Sequence, residues 1–461
     1  MDTIPHEQIN DFRSQLRGSL ITPADAAYDS ARQLWNAMID KRPALIVRCA
    51  GAADVLAAVG HARKQGLPLA VRGGGHNIAG SALCDNGLVI DLSAMRAVRI
   101  DAARRRAVVE GGATLHDFDH EAQSFGLATP LGINSTTGVA GLTLGGGFGW
   151  LSRKYGMTID NLVAADIVTA DGSRLHIDAS HEPDLFWAIR GGGGNFGVVS
   201  HFEFELHPVG PQVSAGMIVF PLDEARQVLG RYRDMVDTMG DDLSVWGVLR
   251  HAPPLPFLPN DWHGKQVLAL VLFSLLPADA LQDAIAQVRS FGSPVGEHVG
   301  ALPYVSWQQA FDPLLAPGER NYWKSHNFDR LADPAIDVIV DYAGKLPGPE
   351  CEIFLGLLGG AASRPAPTAT AYPSRAARWA MNVHTRWQEP AQDSACIGWA
   401  REFFARAAPF AASGVYVNFL TADEPDRITE AYGPNYARLR AIKAQVDPHN
   451  LFRSNQNIAP G

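Results

Sequence analysis

The residues with the most chemistry to offer lie in Val71-Arg72-Gly73-Gly74-Gly75-His76-Asn77-Ile78-Ala79-Gly80. Three consecutive glycines let a backbone approach a ligand closely and adopt φ values that a Cβ forbids. Successive N–H groups in such a loop form a concavity suited to a diphosphate. His76 follows at once, with Asn77 beside it. Alone, a loop of this kind is as readily a plain turn, and its histidine a satisfied polar side chain.

It does not stand alone. Gly132-Ile133-Asn134-Ser135-Thr136-Thr137-Gly138-Val139-Ala140-Gly141-Leu142-Thr143-Leu144-Gly145-Gly146-Gly147-Phe148-Gly149 runs into Trp150-Leu151-Ser152-Arg153-Lys154-Tyr155-Gly156-Met157-Thr158-Ile159-Asp160-Asn161-Leu162. The tail carries Asp447-Pro448-His449-Asn450-Leu451-Phe452 and then Asn455-Gln456-Asn457-Ile458. Together these motifs resemble the berberine-bridge-enzyme-like branch of the vanillyl-alcohol oxidase/p-cresol methylhydroxylase flavoproteins, over nearly the whole chain.

That resemblance implies FAD as cofactor and a bond from His76 to the flavin 8α-methyl. The family's two-bond members add a cysteine in a G-x-C-x-x-x-G pattern, and Asn134 stands at that position here, so a single link is expected. The diphosphate and ring are expected against Arg72, Gly73, Gly74, Gly75, His76, Asn77 and Ser81 on one side. Leu131, Thr136, Thr137, Gly138, Gly141, Leu142, Gly145 and Gly146 are expected on the other, where small residues admit a flat ring. Val139 occupies the family position that governs oxygen approach, and its valine resembles the oxidases. Val199, Asn435 and Asn455 carry over as further cofactor contacts.

For the substrate, Asn321-Tyr322-Trp323-Lys324-Ser325 resembles the family's Y-W-K-S strand. Two-residue alternation sets Tyr322 and Lys324 on one face. Val415-Tyr416-Val417-Asn418-Phe419 matches the family's Y-x-N, read as a strand with Tyr416 and Asn418 facing one way. Asn382 falls where plant relatives carry a glutamine or glutamate base. An amide cannot take the proton, so the base is Tyr416 assisted by Lys324, or else Glu352.

Two motifs mislead. Gly192, Gly194 and Gly197 match G-x-G-x-x-G, but a helix precedes them and a strand over 198–206 follows, the reverse of the dinucleotide-binding context. His116 and His120 stand at i, i+4 without the glutamate a zincin needs, so they read as a solvated helix face, and no metal is expected.

The elements that must position these residues begin with a helical stretch over 5–40, hinged at Thr22-Pro23. An alternation of strands (44–49, 69–72, 88–92, 107–112) with helices (52–65, 114–125) follows, then a hairpin turning at Asp171-Gly172. Beyond Pro208, apolar strands such as 267–273 and 353–358 alternate with helices near 223–238, 278–291 and 393–407. The expected class is α+β: a two-lobed PCMH-type FAD-binding domain over 1–208, a substrate domain over 209–420 with an antiparallel sheet covered by helices, and a segment over 421–461 that returns to the first lobe.

The 461 residues suffice for two large lobes. A net charge of −9 with scattered Lys and Arg gives nucleic acid or an anionic membrane no purchase. Four well-separated cysteines indicate neither a zinc site nor a disulfide framework. A cytoplasmic protein, with a homodimer open, is the expectation. The expected activity is hydride removal from an alcohol or amine carbon of a small organic molecule, with O₂ as acceptor giving H₂O₂. A dehydrogenase using another acceptor, and a flavin-bound binding protein, are the alternatives.

Overall fold

A computed structural model describes residues 6–461. Short apolar strands build the first sheet, in the order Ser19–Ile21, Leu45–Arg48, Leu88–Asp91, Leu69–Arg72; the last three run parallel. Near-continuous apolar runs are what a sheet buried on both faces demands. The helix Ala52–Gln65 supplies the crossover and stops at Gly66, whose φ of +63° caps it. Leu69–Arg72 then releases the chain into the Gly73–His76 loop.

A second, antiparallel sheet runs Val98–Asp101, Arg106–Glu110, Val198–Glu205, Leu162–Val168, Arg174–Asp178. Its far side carries the helices Leu115–Gln123 and Pro183–Ile189, which share one apolar core with it. Val415, Val417, Leu420, Ala431, Leu439 and Ile458 join that core, so the chain's end packs back into the cofactor lobe from Val415 onward.

The other lobe is a seven-stranded antiparallel sheet. Its order is Gly296–Pro303, Gln212–Pro221, Gln266–Ser274, Leu243–His251, Glu352–Leu357, Trp379–Trp387, Arg320–Phe328. The helices Ala225–Val236, Asp333–Ala343 and Asp393–Ala407 cover one face. Its opposite face turns toward the cofactor lobe, which is why all nine residues of Trp379–Trp387 are buried, polar ones included.

Two expectations fail. The stretch 5–40 is helical only over His6–Ser14 and Tyr28–Ala31; residue 5 lies outside the described residues. Gly18 and Pro23 interrupt the helix, and Leu20 and Ile21 are buried instead as an edge strand on Ile46 and Val47. Val415–Phe419 is not a strand. Gly414 turns at φ +87°, and Val417–Phe419 close a 3₁₀ turn in which the Phe419 amide donates to the Tyr416 carbonyl at 2.9 Å.

Candidate active site

A long cavity separates the two lobes. On the cofactor side its wall is backbone-rich: Gly73 to Asn77, Ser81, Thr137, Gly138, Gly141, Leu142, Val199 and Asn455 all line it. The two glycine loops abut there. A Cβ on Gly74 would lie 2.3 Å from the Gly138 nitrogen, and one on Gly138 would lie 2.3 Å from the Gly74 nitrogen. No carbonyl or side chain among the described residues accepts from the amides of Gly73, Gly74, Gly75 or His76. Unpaired amides at the edge of a cleft call for an external acceptor, and the diphosphate of a flavin dinucleotide fits this donor set.

His76 is half-open to the cavity and walled by protein elsewhere. Its ring stacks on Trp35 at 5.2 Å, and Nε2 lies 2.9 Å from the Thr136 hydroxyl. Loss of water pushes its pKa down to about 4, against a smaller opposing pull from the Thr136 backbone. The imidazole is neutral at physiological pH. Asn134 lines the cavity opposite, and no cysteine among the described residues does; Cys84 is turned toward the Pro68 and Leu88 carbonyls.

Tyr416 and Asn418 converge despite the absence of a strand. The Asn418 Nδ2 and the Gly147 amide each lie 3.1 Å from the Tyr416 hydroxyl, and Nδ2 also donates to the Leu142 carbonyl, which fixes the amide's orientation. Burial pushes the phenol up to about 12, while both donors work to lower it. Gly145 and Gly146 act from behind: a Cβ on Gly145 would meet Asn418 at 2.2 Å, and Gly146 faces the Tyr416 ring. These two glycines seat the tyrosine rather than line the cavity.

From the substrate lobe, one cross-strand row reaches the cavity through directly paired residues: Trp323 opposite His384, His384 opposite Glu352, Glu352 opposite Arg250. Trp323 and His384 meet edge to face at 4.9 Å; Glu352 holds Arg250 at 2.8 Å and His384 at 3.5 Å. Burial alone would raise the Glu352 carboxyl, but Arg250, His384 and Arg386 outweigh it and hold it below the ordinary value. Glu352 lines the cavity with its carboxylate tied to Arg250 and His384. Asn382 lines the cavity as expected.

Tyr322 and Lys324 correct the sequence reading. They share a face, but it is the helix-covered one. Tyr322 donates to Asp423 at 2.7 Å and accepts from Arg401 at 2.9 Å, while Lys324 pairs with Asp423 at 3.0 Å and Glu424 at 3.2 Å. Alternation therefore sends Trp323 to the cavity instead, and Lys324 does not assist Tyr416.

Several expected cofactor contacts lie behind the wall. Arg72 turns its guanidinium to the Ala31 carbonyl at 2.6 Å. Leu131 and Val139 are buried in the cofactor lobe's core, and it is Ala140, next to Val139, that faces the cavity. Asn435 spends its amide on the Pro367, Thr370 and Ala371 carbonyls. Thr136 is exposed, with its hydroxyl 2.9 Å from His76 Nε2.

Sequence reasoning missed Trp35, Phe148, Trp246, Phe354 and Phe419 on the wall, and Gly193 and Gly194. The helix Pro183–Ile189 precedes the glycine run 191–197 and the strand Val198–Glu205 follows it, the reverse of a dinucleotide-binding turn. Gly193, Gly194 and Gly197 line the cavity together with Ser454, Asn455 and Gln456 of the tail.

Fold and cavity define a two-lobed FAD-binding flavoprotein. Residues 43–178 match the family described as FAD binding domain, and residues 415–459 the one described as Berberine and berberine like. (R)-6-hydroxynicotine oxidase of Paenarthrobacter nicotinovorans is 33% identical over 463 residues, covering 96% of this chain and 97% of that one. The crystal structure of 6-hydroxy-D-nicotine oxidase from Arthrobacter nicotinovorans superposes with a TM-score of 0.86 at 29% identity, covering 97% and 98%. Physcomitrella patens BBE-like 1, at 22% identity, shares the fold with a TM-score of 0.88 over 98% and 99%. The chain belongs to the berberine-bridge-enzyme-like FAD-linked oxidoreductases, and it is an enzyme of that class.

Proposed function

We propose that the protein is an FAD-linked oxidase, its cofactor held by a single bond to His76, that removes a hydride from an alcohol or amine carbon and passes the electrons to O₂, giving H₂O₂. The flavin supplies two-electron acceptance and the reaction with dioxygen. The residues of the chain do the rest. Gly73 to His76 offer their amides to the diphosphate, and neutral His76 offers a nitrogen lone pair. Trp246, Trp323, Phe354 and Phe419 enclose a flat or alicyclic substrate of modest size and exclude water.

The observation that carries the reading is the Tyr416 hydroxyl, held by two N–H donors at 3.1 Å on the cavity wall. Once the Tyr416 hydroxyl has released its proton to solvent, these donors stabilise the phenolate, which takes a proton from substrate as the hydride leaves. The aromatic wall of Trp246, Trp323, Phe354 and Phe419 favours a substrate carrying a basic nitrogen over a neutral sugar.

The test is anaerobic mixing with panels of cyclic amines, alcohols and sugars while flavin colour is followed, then admission of air. Bleaching followed by stoichiometric H₂O₂ supports the oxidase. Bleaching without H₂O₂ makes it a dehydrogenase, and no bleaching by any compound makes it a binding protein. Acid precipitation should leave the yellow colour on the polypeptide, and His76→Ala should release it.

A further inference from the structure

We infer that Asn134 and Thr136 are positioning residues for cofactor attachment, fixing His76 as the tautomer whose Nδ1 carries the free lone pair. The inference rests on the attachment at His76 proposed above and says which side chains hold the imidazole ready for it.

Asn134 Oδ1 accepts from the Thr136 backbone amide at 3.0 Å and from the Thr136 hydroxyl at 2.7 Å. A backbone N–H can only donate, so the atom facing it must be the amide oxygen. The other end agrees, with Asn134 Nδ2 directed at the Leu315 carbonyl at 3.4 Å. A threonine hydroxyl has one proton, and Asn134 takes it. Toward His76 Nε2, 2.9 Å away, that hydroxyl can then only accept. Nε2 must carry the hydrogen.

The ring is neutral, because burial depresses its pKa to about 4, so Nδ1 is left unprotonated. Turning the ring over would set Cε1 against the hydroxyl and lose the bond, and the stack on Trp35 opposes the motion. A bond from Nδ1 to a flavin methyl carbon removes one hydrogen from that carbon and the Nε2 hydrogen from the imidazole. Dioxygen takes up these two hydrogens and their electrons as H₂O₂. Thr136 is exposed at the rim, which gives the Nε2 proton a route to water.

Apoprotein from riboflavin-starved cells, labelled with ¹⁵N-histidine, tests this with two readouts: the ¹⁵N shifts of His76, and the rate at which added FAD becomes a fluorescent band on a denaturing gel. Wild type should show the Nε2–H tautomer. Thr136→Val and Asn134→Ala should lose that preference and attach FAD about tenfold more slowly, as expected for one orienting hydrogen bond. Thr136→Ser, which keeps the hydroxyl, should restore both. Should Thr136→Val not fold, Asn134→Ala read against Thr136→Ser decides on the same readouts. Wild-type rates and an unchanged tautomer in the substituted proteins overturn the inference. If wild type attaches no FAD at all, the His76 attachment fails, and the tautomer measurement still decides the roles of Asn134 and Thr136.

Discussion

Tyr416 holds its hydroxyl between two neutral N–H donors at 3.1 Å, whereas Tyr322 holds its own between a carboxylate at 2.7 Å and a guanidinium at 2.9 Å. The first oxygen receives hydrogen bonds, and no acceptor among the described residues takes its proton. The second gives its proton to Asp423. Burial raises both phenols, but the neighbours of Tyr416 favour its anion, while the bond to Asp423 disfavours that of Tyr322. One arrangement can move a proton, and the other fastens the Thr421–Arg427 turn to the sheet. The two residues differ in which charges the fold sets around a phenol, not in residue type.

Substitutions that act on one cluster and spare the other sharpen this contrast. Tyr416→Phe should slow anaerobic flavin reduction by roughly 10²- to 10⁴-fold, the span for loss of a general base. Covalent attachment and melting temperature should hardly move. A slowing of less than about threefold would place the base elsewhere.

Lys324→Met tests the other cluster. Lys324 is buried against Asp423 and a nearly fully buried Glu424, and its removal leaves these carboxylates to Arg401 and Arg427 alone. Losing its charged hydrogen bonds costs about 1.5–3 kcal/mol, read as a shifted urea midpoint. Flavin reduction in the surviving folded protein should stay near wild type. A large kinetic defect with little loss of stability would reverse the roles of the two clusters.

Asn418→Ala should give a smaller kinetic effect, about tenfold slower reduction, because one of two donors to the Tyr416 oxygen is lost. The Gly147 amide remains, so the pH at which reduction accelerates should move upward rather than vanish. An unchanged pH profile would show that Asn418 orients the loop without acting on the phenol's charge.

How much of this was legible without coordinates follows from range. The glycine loops around Gly74 and Gly138 announce themselves, because close backbone approach demands glycine locally. The strands carrying Tyr322 and Asn382 were legible through the family resemblance rather than from their own periodicity. Their phase was not: alternation puts Tyr322 with Lys324 and apart from Trp323, but which face meets the cavity depends on the helix Asp393–Ala407 seventy residues on. Trp246 and Phe148 gave no signal, since an aromatic in a buried strand or loop looks the same whether it lines a cavity or fills a core. Val415–Phe419 read as a strand because its apolar alternation matches one, and the positive φ at Gly414 outweighed it.

The smallest expected effect concerns acid. Burial would raise the Asp423 carboxyl, but bonds from Thr421, Tyr322, Lys324 and Arg401 more than reverse this and hold it far below the ordinary carboxylate range. A carboxyl whose folded pKa is depressed adds stability that is fully present above the unfolded value of about 3.9 and is lost as pH falls through the folded one. Urea midpoints for the wild type should therefore hold down to about pH 5 and then fall. Asp423 is about a third exposed, so solvent screens the interaction and its share of that acid limb should stay under about 1 kcal/mol. Asp423→Asn removes the titrating group and should flatten the limb. Tyr322→Phe removes one of its donors and should flatten it less, with flavin reduction unchanged in both. If neither substitution alters the limb, acid lability arises at another carboxylate, and the cluster behind the sheet is held by packing rather than by its charges. If Tyr322→Phe slows flavin reduction instead, the two tyrosines are not separated as their surroundings indicate.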